Sequence, residues 1–534
     1  MTTLLDSLVA AARTDRGINL LGDTTERITY ADLARRAERA AGVIEGLQDE
    51  GHPVLIVLPT GPSFLDAFWG SVWAGRVPAP LPTPRFGASL EEHAWRIAHC
   101  ASRAGGAPVL TTAELVKALG ETAAGKDLRL VDAATLSGGP ARSARLHRFG
   151  MIQFSSGSLG DPKGVILPHS ALAADVAGIL ARQGGRPGDV ILTWIPLVHD
   201  LGLIGGHFSS VFLGCEQVLI PTERIVLDPA FWMRAVHEFR ATCSSSPPFG
   251  FAMAKRRTAL EGLNLSSLRT VVTGAEPIDV NLLREFQRYF APVGLAPNVC
   301  SPSYGLAECC VGVTSPAFGS PLVTVRVAQG LEPGRAIEIV GGNEGMELVS
   351  VGTPLDGLTV EVRRQDGTVA PPGEIGEIHV KGPAVFEGYW GDPSATEKAL
   401  RGGWLVTGDL GFVYDGQLFI AGRQKDVIIV RGRHYFPEEI EGTVTRMPEV
   451  RGRGVVAFGV VDPSGGAERV VVVAETTASG EAADAFRRAI AEVVADAIEC
   501  NLDEVVLVPP RSIPRTPSGK LRRSEARRMW GRVS

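Results

Sequence analysis

Phe154-Ser-Ser-Gly-Ser-Leu-Gly-Asp-Pro-Lys-Gly164 is the stretch on which the reading of this chain turns. The apolar run at 149–154 predicts a strand, and the small hydroxyl and glycine residues after it predict a loop. Backbone amides and hydroxyls in such a loop can cradle phosphate oxygens. Ser155, Ser156, Gly157 and Ser158 would form the cradle, with Lys163 as its cation. It is not a Walker A loop: Pro162 stands five residues after Gly157, and Lys163 is followed by Gly164 rather than Ser or Thr. Taken alone, the segment reads equally well as a flexible Gly/Ser turn.

Upstream of the loop, residues 30–44 have helical periodicity, 53–58 read as a buried strand and 64–74 as the helix returning from it. Strands alternating with helices imply a parallel sheet in an α/β lobe. The same rhythm recurs downstream, with strands expected at 190–194, 217–220, 241–244 and 268–273. After about residue 350 the pattern changes. Short runs at 358–363, 376–381 and 417–420, separated by Gly, Pro and Asp turns, read as a small antiparallel barrel or sheet. A new unit starts near Arg423, with helices at 437–446 and 481–500 and strands at 455–461 and 469–475. The expected fold is therefore α/β: a large multi-subdomain N-terminal lobe over 1–422, with two parallel-type sheets and a small β-barrel. A hinge at 423–425 would lead to a smaller, mobile α+β C-terminal domain over 426–534.

Composition bounds the function classes. Of 534 residues, 45% are apolar and 21% charged, so a large core is available and global disorder is excluded. The net charge of −6 offers no global attraction to nucleic acid or anionic membrane. The 63 Gly and 36 Pro predict many short elements. Seven scattered cysteines without a C-x-x-C pair or zinc spacing suit a reducing cytosol, so a cytoplasmic location is expected. The N-terminus lacks a basic start before an apolar run, and no apolar stretch approaches the ~18 residues of a membrane span.

Other motifs stand in order around the loop. They are Trp194-Ile-Pro-Leu-Val-His-Asp-Leu-Gly-Leu203, Tyr304-Gly-Leu-Ala-Glu308, Thr407-Gly-Asp409, Gly422-Arg-Gln-Lys-Asp-Val-Ile-Ile429 and Pro514-Arg-Thr-Pro-Ser-Gly-Lys520. Together with the loop they resemble the ordered motifs of the adenylate-forming superfamily of acyl-CoA synthetases, nonribosomal adenylation domains and luciferases, over nearly the whole chain. Val272-Thr-Gly-Ala-Glu-Pro-Ile278, His199-Asp-Leu-Gly-Leu-Ile-Gly-Gly206 and Pro248-Phe-Gly-Phe-Ala-Met-Ala-Lys255 are similar to the fatty acyl-AMP ligase branch. So is the stretch around 325–335, which resembles an insertion that packs against the C-terminal domain in that branch and hampers its rotation toward coenzyme A.

The resemblance implies ATP-dependent activation of a hydrophobic carboxylic acid as its acyl-adenylate, followed by transfer to a thiol. Anion must approach anion, so charge neutralisation is the main requirement. On this reading Lys520 is the catalytic cation and Glu308 the Mg²⁺ ligand, since Mg²⁺ needs only one or two carboxylates beside phosphates and water. Tyr304, flanked by Ser303 and Gly305, offers a face for adenine. Gly274, Ala275 and Glu276 bring backbone to the base, Asp409 accepts from the ribose hydroxyls, and Arg423 adds a ribose or phosphate contact. His199 would line the channel between carboxylate and tail, and Lys425 marks the hinge. Gly274 and Phe249 are further acid contacts, with Leu203, Ile204, Phe208, Phe251 and Met253 as candidates for an apolar tail pocket.

Each residue alone has a plainer reading. A Lys near a terminus is usually a solvated charge, Tyr304 is as readily core, and His199, Asp200 and His207 fit no zinc spacing. Position 159 is Leu where the family carries Thr. One neutral hydrogen bond is worth only ~0.5–1.5 kcal/mol, so weaker ATP binding is the most this implies. The expected cofactors are ATP and Mg²⁺. The expected partners are the acid and, as acyl acceptor, a carrier protein's phosphopantetheine or coenzyme A; no nucleic acid is expected. The tail 511–534 holds eight Lys/Arg against one acidic residue. Arg522, Arg523, Arg527 and Arg528 would form a face steering an acidic carrier protein. The rivals are an acyl-CoA ligase and a non-catalytic acyl- or carrier-binding homologue.

Overall fold

The computed structural model describes residues 2–84, 89–154, 162–342, 344–430, 433–450, 454–460, 468–516 and 520–531. The largest sheet has seven strands, in the order Cys300–Pro302, Thr270–Thr273, Cys243–Ser245, Val190–Thr193, Glu216–Leu219, Gly17–Leu21 and Thr25–Thr29. All neighbours are parallel except the last two, which form an antiparallel hairpin. A second sheet is parallel throughout, in the order Val77–Pro80, Pro53–Val57, Val109–Thr111 and Leu130–Asp132. Every residue of Pro53–Val57 is buried, as a strand covered on both faces requires. Thr25–Thr29, the sheet's edge, exposes three of its five residues and turns Ile28 inward.

The helices between these strands carry their own start signals. Tyr30–Ile44 begins at Thr29, whose hydroxyl accepts from the Asp32 amide while the Asp32 carboxylate accepts from the Thr29 amide. Leu33, Ala37, Ala40 and Ile44 then fall on one face and are fully or almost fully buried. Leu201–Phe208 is a π-helix, and it packs so closely on Val190–Thr193 that a Cβ on Gly206 would lie 2.3 Å from the Thr193 hydroxyl. Only glycine admits that approach.

Phe149–Phe154 and Gly164–Pro168 form an antiparallel pair to which Gly388–Tyr389 adds a third strand. The five antiparallel strands Thr359–Arg363, Gly376–Lys381, Leu400–Arg401, Trp404–Tyr414 and Gln417–Arg423 follow. Among the described residues their pairings make an open sheet.

Beyond Arg423, Ile428–Val430 pairs with Arg433–Tyr435, and Val455–Val460, Arg469–Glu475 and Glu504–Val508 form a separate three-stranded sheet. Helices Pro437–Thr445 and Glu481–Ile498 supply its core. Phe486, Ile490, Val494 and Ile498 recur at helical spacing and are buried there with Val470 and Val472. No described strand after Arg423 pairs with one before it. No described helix is long and apolar enough to cross a membrane.

Candidate active site

The parallel strands of the large sheet end on one side of the lobe, where open α/β sheets bind ligands. Thr270–Thr273 runs into Gly274 and Ala275, and Cys300–Pro302 into Ser303, Tyr304 and Gly305. The Ser303 amide donates to the Thr273 carbonyl at 2.8 Å, drawing the two strand ends together. A Cβ on Gly274 would stand 2.4 Å from the Ser303 carbonyl oxygen, so the contact excludes any side chain there. Ala275 adopts φ +68°, unusual for a residue with a Cβ.

These strand ends open into a cavity of about 1640 Å³. Its lining includes Lys163, His199, Gly274, Ala275, Ser303, Tyr304, Gly305, Glu308, Asp409, Arg423, Lys425 and Lys520, residues drawn from both ends of the chain. Ser155, Ser156, Gly157 and Ser158 lie outside the described residues. Glu276 follows Ala275 but is not part of the lining.

The charges are organised in three groups. In the first, Asp409 and Arg423 sit opposite each other on paired strands, with Arg423 Nε 3.0 Å from Asp409 Oδ1. The Tyr304 hydroxyl donates to Asp409 Oδ2 at 2.7 Å. Burial, helped by the Asp409 charge, holds the Tyr304 hydroxyl well above the usual phenol range, so it remains a donor. A carboxylate has about four acceptor sites, so Asp409 retains capacity for further donors.

In the second group, Lys163 Nζ lies 4.7 Å over the centre of the Tyr389 ring, and the Tyr389 hydroxyl donates to Glu308 Oε1 at 2.8 Å. Tyr389 thus ties the end of the phosphate-type loop to Glu308. The sequence reading missed it. Its only signal was a Gly-Tyr step in an unremarkable loop, and the pairing of Tyr389 with Val165 is what carries it to the site.

In the third group, His199 Nδ1 lies 2.7 Å from Asp200 Oδ1. Burial pushes the Asp200 carboxyl upward, but His199, the positive charge of Lys520 and the Leu201 amide together hold it down at about 2. Lys520 and Asp200 thus line one cavity, and the lysine's charge is among the influences that lower the Asp200 carboxyl. Lys520 is tied to Thr516 by its amide on the Thr516 hydroxyl at 3.0 Å and by the Thr516 amide on its carbonyl at 2.7 Å.

Several expected site residues lie elsewhere. Phe249 packs edge-on against Trp194 with ring centres 5.9 Å apart and does not line the cavity. Leu203, Ile204 and Phe208 are buried in the main core, and Phe251 is buried with Trp232 and Phe286. These residues satisfy the apolar pattern by packing against protein. His207 is likewise a core residue, held between Trp69 Nε1 at 2.9 Å and Gln217 Oε1 at 2.8 Å. Arg523 is not part of a free basic face. Its guanidinium is enclosed by Asp426 at 2.8 Å, Glu441 at 2.8 Å and Glu438 at 3.4 Å, and it donates to the Ala457 carbonyl.

The hairpin Thr324–Val327 and Met346–Val349, with the turn after its first strand, meets the start of helix Pro437–Thr445. Val325, Val327 and Leu331 pack with Phe436, and the Glu439 carboxylate accepts from the Gly330 and Leu331 amides at 3.1 and 3.4 Å. Burial raises the Glu439 carboxyl to about 7, against the pull of those amides. Because the folded value lies above the unfolded one, this carboxyl's stabilising contribution is complete below about pH 4.5 and is lost as pH rises through about 7. Glu439→Gln keeps the acceptor oxygen and cannot ionise. It is expected to raise stability at pH 8 by on the order of 1–3 kcal/mol and to change little at pH 4.5. Urea unfolding at both pH values checks this, and equal effects at both would refute it.

The profile of a family described as "AMP-binding enzyme" matches residues 9–390. A 4-hydroxyphenylalkanoate adenylyltransferase of Mycobacterium tuberculosis is 34% identical, over 94% of this chain and 86% of that one. A long-chain-fatty-acid–AMP ligase of Mycobacterium marinum is 32% identical, over 93% and 90% respectively. Among solved structures, work on fatty acyl-adenylate ligases from E. coli and L. pneumophila provides a similar chain. It has a TM-score of 0.89 at 28% identity and covers 99% of this chain and 98% of its own.

Proposed function

We propose that this chain, which belongs to the AMP-binding enzyme family of adenylate-forming ligases, activates a carboxylic acid with ATP and hands the acyl group to the phosphopantetheine thiol of a carrier protein. The observation that carries the reading is the convergence of Lys163, His199, Glu308, Asp409, Arg423 and Lys520 on one cavity. A solvated terminal lysine and a core tyrosine have no reason to meet there.

In the proposed reaction a carboxylate oxygen of the acid attacks the α-phosphorus of ATP. The new O–P bond forms as the bond to the β-phosphate oxygen breaks, and pyrophosphate leaves with that electron pair. Lys520 brings positive charge to the meeting of the two anions, where a fixed cation acts without reorganisation. Asp409 takes ribose hydroxyls as donors, Arg423 orients Asp409, and Tyr304 closes the nucleoside side. His199, fixed through Nδ1 by Asp200, presents its other ring nitrogen toward the acid. Lys163 meets the outer phosphates with the loop before it.

Glu308 fits a Mg²⁺ ligand. It lines the cavity, Tyr389 fixes one carboxylate oxygen, and the other has no partner among the described residues. Bound there, Mg²⁺ would neutralise phosphate charge. Residues 423–425 would hinge the C-terminal domain, with Lys425 in the cavity wall between the two lobes.

The carrier-protein acceptor is supported by the contacts of Glu439 and Phe436 with the 325–331 segment, the stretch that resembles the insertion of the acyl-AMP ligase branch. The test supplies ATP, an accepted acid, and either coenzyme A or a holo-carrier protein, and weighs the products. Acylated carrier with little acyl-CoA is expected. Efficient acyl-CoA formation by this chain alone would make it an acyl-CoA ligase instead.

A further inference from the structure

We infer, on the ligase reading above, that the acid carries a hydrogen-bonding group on its tail, and that Gln183 and Thr270 select for it over a plain hydrocarbon end. The argument starts from the sheet register. Cys243 is paired across to both Ile191 and Thr270, and Ser245 to Val272. Alternate residues of a strand share a face, so Cys243 with Ser245 and Thr270 with Val272 form two neighbouring tracks. All four, with Ile191, line the cavity. The cavity therefore continues along this face from the strand ends at Gly274 and Ser303 toward the N-terminal ends of the strands. Three residues of strand make that arm roughly 10 Å deep.

One wall of the arm is a continuous hydrogen-bonded seam. The Thr270 hydroxyl donates to Gln183 Oε1 at 2.8 Å, Gln183 Nε2 donates to Ser315 Oγ at 2.7 Å, and Ser315 Oγ lies 2.9 Å from Ser303 Oγ. All four residues line the cavity. Nearby, the Thr273 and Thr314 hydroxyls are buried in the lining with no hydrogen-bond partner among the described residues. Aliphatic surface comes from Ile191 and Val272 on the strands and from Ile179, Leu180 and Leu355. Of the large apolar side chains that the sequence offered for a tail pocket, Leu203, Ile204, Phe208 and Phe251 are buried in the core, and neither Phe249 nor Met253 lines the cavity.

These walls discriminate. A bare alkyl chain in the arm leaves the Thr273 and Thr314 hydroxyls unmatched, and a buried polar group left unmatched is costly. A tail hydroxyl can donate to the second lone pair of Gln183 Oε1 and accept from a serine or threonine. A site that supplies such partners favours the hydroxylated substrate over its deoxy analogue, whereas a purely apolar slot barely separates the two.

The experiment compares a 4-hydroxyphenyl-terminated alkanoate with the phenyl-terminated and linear acids of matched length. It uses calorimetric binding and acid-dependent pyrophosphate release, in the full chain and in Thr270→Val and Gln183→Met. The expected result is a preference of at least about tenfold for the hydroxylated acid, falling to within about threefold in both variants. If the seam is only structural, the variants lower stability or act on all acids alike, and an unchanged ratio overturns the inference. Equal or better use of the linear acid by the unaltered chain also overturns it. A binding preference without pyrophosphate release from any acid would refute the ligase reading while upholding the tail preference.

Discussion

Lys520→Ala is expected to lower adenylate formation by about 10²–10³-fold, the range found when one fixed electrostatic partner of a developing anion is removed. The physical reason is local. Lys520 lines the cavity and its charge reaches Asp200, which it helps to hold ionised beneath His199. It is tied to Thr516 through backbone and hydroxyl contacts that do not involve the ammonium group. Truncation should therefore remove charge and leave the backbone tie between Thr516 and Lys520. Mass spectrometry of the acyl-AMP product reads the loss, and an unchanged unfolding midpoint confirms that the fold survives. Lys520→Arg should recover part of the rate, since it restores charge in a different shape. Near-normal acyl-AMP from the alanine variant would remove Lys520 from the chemistry.

Arg523→Leu should have the largest effect on stability. Asp426, Glu438 and Glu441 face one guanidinium, and that side chain is only 11% exposed. Burial pushes the Glu441 carboxyl up to about 7 even with Arg523 in place. Removing the cation leaves the carboxylates without their partner, a change that costs about 3–5 kcal/mol when an ion pair is buried. The loss should be greater at pH 8 than at pH 5, because the lower pH lets the carboxyls take up protons. Urea unfolding with limited proteolysis of the C-terminal segment measures both features. A loss under about 1 kcal/mol at pH 8 would show that the cluster is solvated.

Arg523 also shows what sequence can and cannot reveal. In the run Arg522-Arg523-Ser-Glu-Ala-Arg527-Arg528 nothing distinguishes a buried arginine from its neighbours. Its partners, Asp426, Glu438 and Glu441, lie 82–97 positions away and are brought to it by packing alone. Phe249 and Phe251 do not line the cavity, and an apolar residue beside a motif has the same pattern whether it faces ligand or core. The parallel strands were legible because their apolar runs are short and bounded by turns, so 53–58 and 190–194 fall within one residue of the strands found. The hairpin of Gly17–Leu21 and Thr25–Thr29 was not read, since its second strand is mostly polar and takes its place only by pairing at the sheet edge. Tyr389 escaped for a related reason: its role depends on a two-residue strand whose partner lies more than 200 positions upstream. The cavity lining was legible where several motifs kept their order, and it was illegible where one residue reaches it through pairing.

The most direct test of the central claim is exchange of labelled pyrophosphate into ATP, measured with and without an added acid. This exchange requires reversible attack of a carboxylate on the α-phosphorus and needs no acyl acceptor. The account predicts exchange that depends strictly on acid and Mg²⁺ and falls with Lys520→Ala. Exchange absent with every acid offered, under conditions where the folded chain binds ATP, would contradict it.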